Sequence, residues 1–172
     1  MIKITTTITA LIILLLNCAP SSNQETLQQL QLIEDKMALK TLVDEFSNLA
    51  DVKDVEAQLL LFTEDAVVQS SSNGNMGSVF NGREEIGDAF SGFLANFETV
   101  YHINGQQTVE INGTNATGIA YCLVVLISEN EGIREKRTMG VRYNDEYVKE
   151  NNKWFIERRH SNFMWSETAP LN

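Results

Sequence analysis

The chain has few cysteines, histidines and basic residues, and each shortage excludes a class of function. Its two cysteines and two histidines are spread widely, at Cys18, His102, Cys122 and His160. No pair of them has the close ligand spacing of a zinc site, so we predict no metal. A glycine-rich phosphate loop is also missing, and we predict no cofactor. Thirteen basic against 23 acidic residues give a net charge of −10, which argues against binding to nucleic acid.

A long apolar run is missing too, although a short one lies near the N-terminus. Residues 8–16 are apolar except for Thr9 and follow the single charge of Lys3. This run is too short for the roughly 20 apolar residues of a membrane-spanning helix. A basic start, a short apolar run and a polar exit are typical of a secretory signal.

The end of that run, LLNC at residues 15–18, resembles the lipobox of bacterial lipoproteins. The resemblance implies that residues 1–17 are a signal peptide, that Cys18 is lipidated and that residues 18–25 form a tether. The protein would then lie in the bacterial cell envelope, held to a membrane by the lipid alone and facing the periplasm or exterior. The alternative is an ordinary signal peptide with an incidental cysteine. If Cys18 is lipidated, Cys122 has no disulfide partner and is predicted to be a small buried hydrophobe.

Residues 26–168 are expected to form one domain, and its first part has helical periodicity. Apolar residues between Thr26 and Leu49 recur mostly at spacings of three and four, which predicts an amphipathic helix with its apolar face on a core. Asp54 is a suitable N-cap for a short second helix. Residues 86–94 repeat the apolar pattern and predict a third helix.

The rest of the domain has the pattern of strands. Residues 66–70 and 77–82 are predicted to form two short strands around a turn. After Phe97 we expect four long antiparallel strands, separated by the turn sequences Asn112-Gly113, Asn130-Glu131-Gly132 and Asn151-Asn152. The sum is an α+β fold in which three N-terminal helices pack on a curved antiparallel sheet.

Several motifs in this order resemble the SnoaL-like branch of the nuclear transport factor 2 (NTF2-like) superfamily. They include LFTEDAVV at residues 61–68, FNGREEI at 80–86, YHING at 101–105 and RYNDEYVKENNKWFIERR at 142–159. The resemblance implies a cone, in which a highly curved sheet wraps the long first helix and leaves a pocket at the open end. Activities in the superfamily range from dehydratases, isomerases and polyketide cyclases to binding and dimerisation modules, so fold alone does not decide function.

The same resemblance implies two catalytic candidates, Asp51 and His102. SnoaL-like members place a pocket carboxylate and a histidine at these positions, and such a pair could move a proton on or off a small, largely apolar molecule. The protein would then be a cofactor-independent lyase or isomerase. The alternative is structural: Asp51 ends a helix and His102 is a satisfied histidine at the mouth of the cone. Ala50 departs from the dehydratase pattern, which has a tyrosine there.

Other residues are expected to bind the substrate, and these are Phe46, Tyr121, Tyr143, Asp145 and Trp165. Strand alternation places Tyr143, Asp145 and Tyr147 on one face of the sheet, but it does not say which face. If that face is concave, these residues join the pocket; if it is convex, they meet the partner subunit of a homodimer. An enzyme and a non-catalytic, membrane-anchored binding or dimerisation module both remain open.

Overall fold

A computed structural model describes residues 22–171. The helices are α1 (Ser22–Asp51), α2 (Val55–Leu59) and α3 (Gly82–Leu94). The strands are β1 (Phe62–Ser72), β2 (Asn75–Asn81), β3 (Thr99–Asn112), β4 (Asn115–Asn130), β5 (Ile133–Glu150) and β6 (Lys153–Pro170). Two helices, a hairpin, a third helix and four long strands therefore follow one another, in the order that the sequence predicts. The signal peptide and Cys18 lie outside the described residues.

Helix α1 begins earlier than its periodicity predicts, at Ser22 rather than near Thr26. The Thr26 hydroxyl donates to the Ser22 carbonyl oxygen at 2.8 Å, and Glu25 lies in the first turn. A carboxylate near a helix N-terminus is stabilised by the helix dipole. Residues 22–25, which we expected in the tether, are therefore helical.

Only the second half of α1 carries the core face. The apolar residues Leu27, Ile33 and Met37 are 65%, 55% and 65% exposed, so the prediction that this part of the stripe faces the core is wrong. Burial becomes regular from Leu39 to Ala50, where the helix lies against β3. Periodicity identifies an apolar face, but a face is buried only where a second element covers it.

Tight turns join the strands at the predicted asparagine and glycine positions. Gly113 has φ of 63° between β3 and β4, and Glu131 and Gly132 have φ of 52° and 80° between β4 and β5. Asn151 and Asn152 have φ of 49° and 64° before β6. Two left-handed central residues in the second and third turns, and a left-handed glycine at the first central position of the β3–β4 turn, match the right-handed twist of adjacent strands. These turns set the antiparallel register of the four long strands.

The six strands form one curved sheet in the order β2-β1-β6-β5-β4-β3. Strand β1 pairs with β6 in parallel, with Val68 opposite Arg159 and Gln69 opposite His160, so the sheet is mixed and not wholly antiparallel as expected. The turn sequences could predict only pairs of consecutive strands. The contact between β1 and β6 joins distant parts of the chain, so no local sequence pattern predicts it.

The inner face of the sheet and the three helices enclose a single apolar core. Cys122 is 4% exposed within it, as predicted, and burial raises the pKa of its thiol to about 11. Asp35 links the middle of α1 to the hairpin between β5 and β6. Its carboxylate accepts hydrogen bonds from Lys149 Nζ at 2.6 Å and Trp154 Nε1 at 2.9 Å. Over residues 22–171, no helix is both long and apolar enough to cross a bilayer.

Candidate functional site

A ladder of polar contacts joins α1 to β3 and brings the two catalytic candidates together. Asn104 Nδ2 donates to the Val43 carbonyl oxygen at 3.2 Å, and the Ser47 hydroxyl donates to Asn104 Oδ1 at 3.0 Å. One helical turn beyond Ser47 lies Asp51, and two strand positions before Asn104 lies His102. Residues four apart on a helix and two apart on a strand share a face. The geometry of the two elements therefore places Asp51 against His102.

The contact between Asp51 and His102 uses both carboxylate oxygens. His102 Nδ1 lies 2.6 Å from Asp51 Oδ1, and the backbone N–H of His102 donates to Asp51 Oδ2 at 3.2 Å. The side chain of His102 is 8% exposed and that of Asp51 is 22% exposed. The carboxylate is thus held in place by one residue through two hydrogen bonds.

This contact defines the tautomer of the imidazole. A carboxylate can only accept hydrogen bonds, so Nδ1 of His102 carries the proton and Nε2 has the free lone pair. Burial lowers the pKa of His102 below its usual 6.5, and Arg159 acts in the same direction, although the hydrogen bond and charge of Asp51 oppose both. The imidazole is therefore neutral at pH 7, in the form that accepts a proton.

His102 lines an apolar cavity of about 110 Å³ beneath the open end of the sheet. Most of its wall is aliphatic or aromatic, and the lining residues are Phe46, Ala50, Gln58, Phe90, Phe93, Leu94, His102, Val124, Leu126, Met139, Tyr143, Ser161 and Phe163. An apolar cavity of about 150 Å³ is known to hold benzene. A ligand of this cavity is therefore about the size of one ring.

A buried ion pair lies behind the cavity wall. Arg159 Nε and Nη2 donate to the two oxygens of Asp145 at 2.9 and 2.6 Å, and the Tyr147 hydroxyl donates to the same carboxylate at 2.9 Å. The guanidinium carbon lies 4.2 Å from the ring centre of Phe46 and 4.3 Å from that of Tyr143. The cation thus lies against two aromatic rings that are edge-to-face with each other and that also line the cavity.

The other predicted site residues divide between the interior of the cone and the outer face of the sheet. Phe46 and Tyr143 line the cavity. Asp145 lies on the inner face with Tyr143, yet its carboxylate is engaged by Arg159 and does not line the cavity. The structure therefore selects the concave alternative for this part of β5, and it assigns Asp145 to the ion pair.

Tyr121 and Trp165 lie on the outer face, where they are 47% and 48% exposed. Tyr121 alternates with the buried Ala120 and Cys122 along β4, so strand geometry directs its side chain away from the cone interior. A register shift in β6 between the partners of Gly140 and Val141 places Trp165 over Gly140. The prediction that these two residues line the cavity is therefore wrong.

Sequence reasoning missed Gln58, a polar residue in the cavity wall that is 1% exposed. The available signal was its position as a single amide in residues 55–62, where every other residue except Glu56 is apolar. Sequence reasoning also identified Arg159 only as part of the family motif and did not predict its ion pair with Asp145. In residues 22–171, no group of three or more His, Cys, Asp or Glu side chains comes together in a way that could hold a metal ion.

Comparison with known proteins places this chain in a family. A family model for the SnoaL-like domain matches residues 31–160. A hexachlorocyclohexane dehydrochlorinase (LinA) type 2 superposes with a TM-score of 0.69 at 14% identity, covering 84% of this chain and 93% of that one. No curated protein matches the sequence.

Two proteins from Novosphingobium aromaticivorans have the same fold. One, provisionally assigned as a scytalone dehydratase, superposes with a TM-score of 0.70 at 20% identity and covers 84% of this chain and 93% of its own. The other, an NTF2-like protein with a cystatin-like fold, has a TM-score of 0.61 at 22% identity and covers 84% of this chain and 91% of its own. The family match over most of the domain and the shared fold agree, and the chain belongs to the SnoaL-like family.

Proposed function

We propose that this domain is a cofactor-independent lyase or isomerase that acts on a small, largely apolar molecule, with His102 as the base and Asp51 as its positioning residue. The observation that carries the proposal is the 2.6 Å contact between His102 Nδ1 and Asp51 Oδ1 at the wall of the apolar cavity. It leaves Nε2 as the ring nitrogen that is free to act on a bound molecule.

The proposed step is a proton transfer from carbon to His102 Nε2. As the C–H bond breaks, its electron pair forms a carbon–carbon double bond. In a lyase the leaving group on the neighbouring carbon departs with its bonding pair. In an isomerase the π electrons of an adjacent double bond shift to a third atom, and the proton on Nε2 is delivered to the atom that receives them. Asp51 stabilises the imidazolium that forms, because its carboxylate already accepts the Nδ1 proton. The apolar wall keeps water away and strengthens this electrostatic interaction. All the groups needed for the proton transfer belong to the chain, so the step needs no cofactor.

The names of two structural neighbours agree with this reaction type. Dehydratase and dehydrochlorinase both denote the loss of a small group from a substrate with formation of a double bond. At 20% and 14% identity, these neighbours show only that the fold is shared. The support for the chemistry therefore comes from the geometry of Asp51 and His102.

The test is a turnover screen with a matched histidine control. Single-ring alcohols, halides and ketones are incubated with the protein, and substrate loss is followed by gas chromatography. We expect turnover of at least one class by the wild type and by His160→Ala, since His160 bonds to Ser71 outside the cavity lining. We expect none by His102→Ala. Turnover that survives His102→Ala would contradict the proposal.

A non-catalytic binding module is the second candidate, and Ala50 favours it. This residue lines the cavity at the position where the family resemblance implies a tyrosine that polarises the substrate. The same screen separates the candidates, because a binding module would retain a ligand without converting it. A homodimer stays a prediction in either case.

We also propose that the protein is a lipoprotein of the bacterial cell envelope, attached through Cys18 and facing the periplasm or exterior. The support is the sequence LLNC at residues 15–18 after a short apolar run. In a bacterial host fed a palmitate analogue, the wild type and Cys122→Ser should carry the label and sediment with membranes. Cys18→Ser should lose both properties; a labelled Cys18→Ser protein would contradict the anchor.

A further inference from the structure

Gln58 is one of the residues that line the cavity, and it has a buried hydrogen-bond acceptor that no other described residue uses. Gln58 Nε2 donates to the Phe46 carbonyl oxygen at 3.0 Å, while its Oε1 is buried with no hydrogen-bond partner in the described structure. Buried polar atoms are nearly always paired. An unpaired acceptor in a cavity wall therefore indicates a group that a ligand supplies.

The orientation of the Gln58 amide follows from its neighbour. The Phe46 carbonyl oxygen can only accept a hydrogen bond, so the NH2 group of Gln58 must face it and Oε1 must face elsewhere. Thr63 Oγ1 is also buried and unpaired, but Thr63 is not among the residues that line the cavity. Of the unpaired polar groups in residues 22–171, Gln58 is the one at the cavity.

Two acceptors of hydrogen bonds thus belong to one apolar cavity. His102 Nε2 is an acceptor in the tautomer that Asp51 selects, and Gln58 Oε1 is an acceptor in any protonation state. The hydroxyls of Ser161 and Tyr143 can donate or accept and so do not discriminate between ligands. The guanidinium of Arg159 is not among the groups that line the cavity, and its charge is paired with Asp145, although its Nη1 is buried without a partner in the described structure. The lining itself therefore has little to offer an anion.

We propose that Gln58 is the recognition residue of this cavity and that its ligand is an uncharged single-ring molecule bearing a hydroxyl or N–H donor. A carboxylate would place acceptor against acceptor, and a molecule without a donor would leave Oε1 unpaired. Specificity of this kind is strong, because a ligand without the donor leaves a buried polar group of the protein unpaired, and this lowers its affinity. The inference deepens the proposed function and rests on it for the unprotonated Nε2 of His102.

The test measures binding, which does not depend on turnover. Phenol, fluorobenzene and benzoate are probes of similar ring size that present a donor, no donor and an anion. We expect the full-length wild type to bind phenol at least about tenfold more tightly than fluorobenzene and benzoate, as one satisfied buried acceptor implies. In Gln58→Met, which keeps the side-chain length, the phenol preference over fluorobenzene should fall several-fold and not vanish, because His102 Nε2 remains as an acceptor.

Thr63→Val is the matched control, since it removes a buried unpaired oxygen away from the cavity and should keep the phenol preference. Equal binding of phenol and fluorobenzene by the wild type would overturn the proposal, whatever the folding of the variants, and so would an unchanged preference in Gln58→Met. A phenol preference that depends on Gln58, in a protein whose turnover is absent or survives His102→Ala, would support recognition while removing the proposed catalytic role. The two hypotheses therefore fail separately.

Discussion

Asp145→Asn is expected to lower the free energy of unfolding by about 3–5 kcal/mol, the usual cost of removing one partner from a buried ion pair. The side chains of Asp145 and Arg159 are 1% and 0% exposed. Without the carboxylate, the guanidinium remains buried against Phe46 and Tyr143 with its charge uncompensated. The loss should appear as a lower midpoint in urea unfolding with an unchanged slope.

The matched control is Glu98→Gln, which breaks the ion pair of Glu98 with Arg134 on the surface. Those side chains are 52% and 43% exposed, and pairs of this kind contribute about 0–1 kcal/mol. A double variant, Asp145→Leu with Arg159→Met, should recover much of the loss because no buried charge remains. If Asp145→Asn costs no more than Glu98→Gln, the ion pair does not hold the cavity wall in place.

Asp51→Asn should reduce kcat/KM by about 10²–10⁴ on any substrate found in the turnover screen, in line with the loss of a residue that orients a catalytic histidine. An asparagine amide can donate to Nδ1 of His102, which would move the proton to Nε2 and remove the free lone pair. Substrate binding should change far less, because Asp51 does not line the cavity. Steady-state kinetics should therefore show the loss mainly in kcat.

Asp54→Asn is the control for this variant. Asp54 Oδ1 accepts the Ala57 N–H at 3.0 Å as the N-cap of α2, and asparagine caps a helix about as well as aspartate. Its kcat should stay near the wild-type value. A comparable loss in Asp54→Asn would trace the effect to the loop between α1 and α2.

The pH profile gives a second readout of the Asp51 contact. Burial already lowers the pKa of His102 below 6.5, and Asp51 works against that shift. The wild-type rate should therefore fall only as the pH drops below 6.5, and in Asp51→Asn this acid limb should move to still lower pH. Because the folded-state pKa is depressed, stability from His102 is fully present above pH 6.5 and is lost as the pH falls through the folded-state pKa.

The sequence determined the order of elements and the pairing of the long strands. Its asparagine and glycine turns define antiparallel neighbours, since left-handed turn residues favour a single hairpin geometry. The candidates Asp51 and His102 came from resemblance to a family. Their contact follows from the packing of α1 on β3, which joins distant parts of the chain. The sequence contributes only the spacings of four and two residues that put Asp51 in line with Ser47 and His102 in line with Asn104.

Only the tertiary structure decided which faces and which polar groups belong to the cavity. Alternation along a strand groups Tyr143 with Asp145 but does not say that they point inward while Tyr121 points outward. That choice depends on which face the helices cover. The partner of Arg159, the parallel contact of β1 with β6, and the unpaired Oε1 of Gln58 are likewise contacts between distant parts of the chain. They arise from the burial of one common core, which no local pattern encodes.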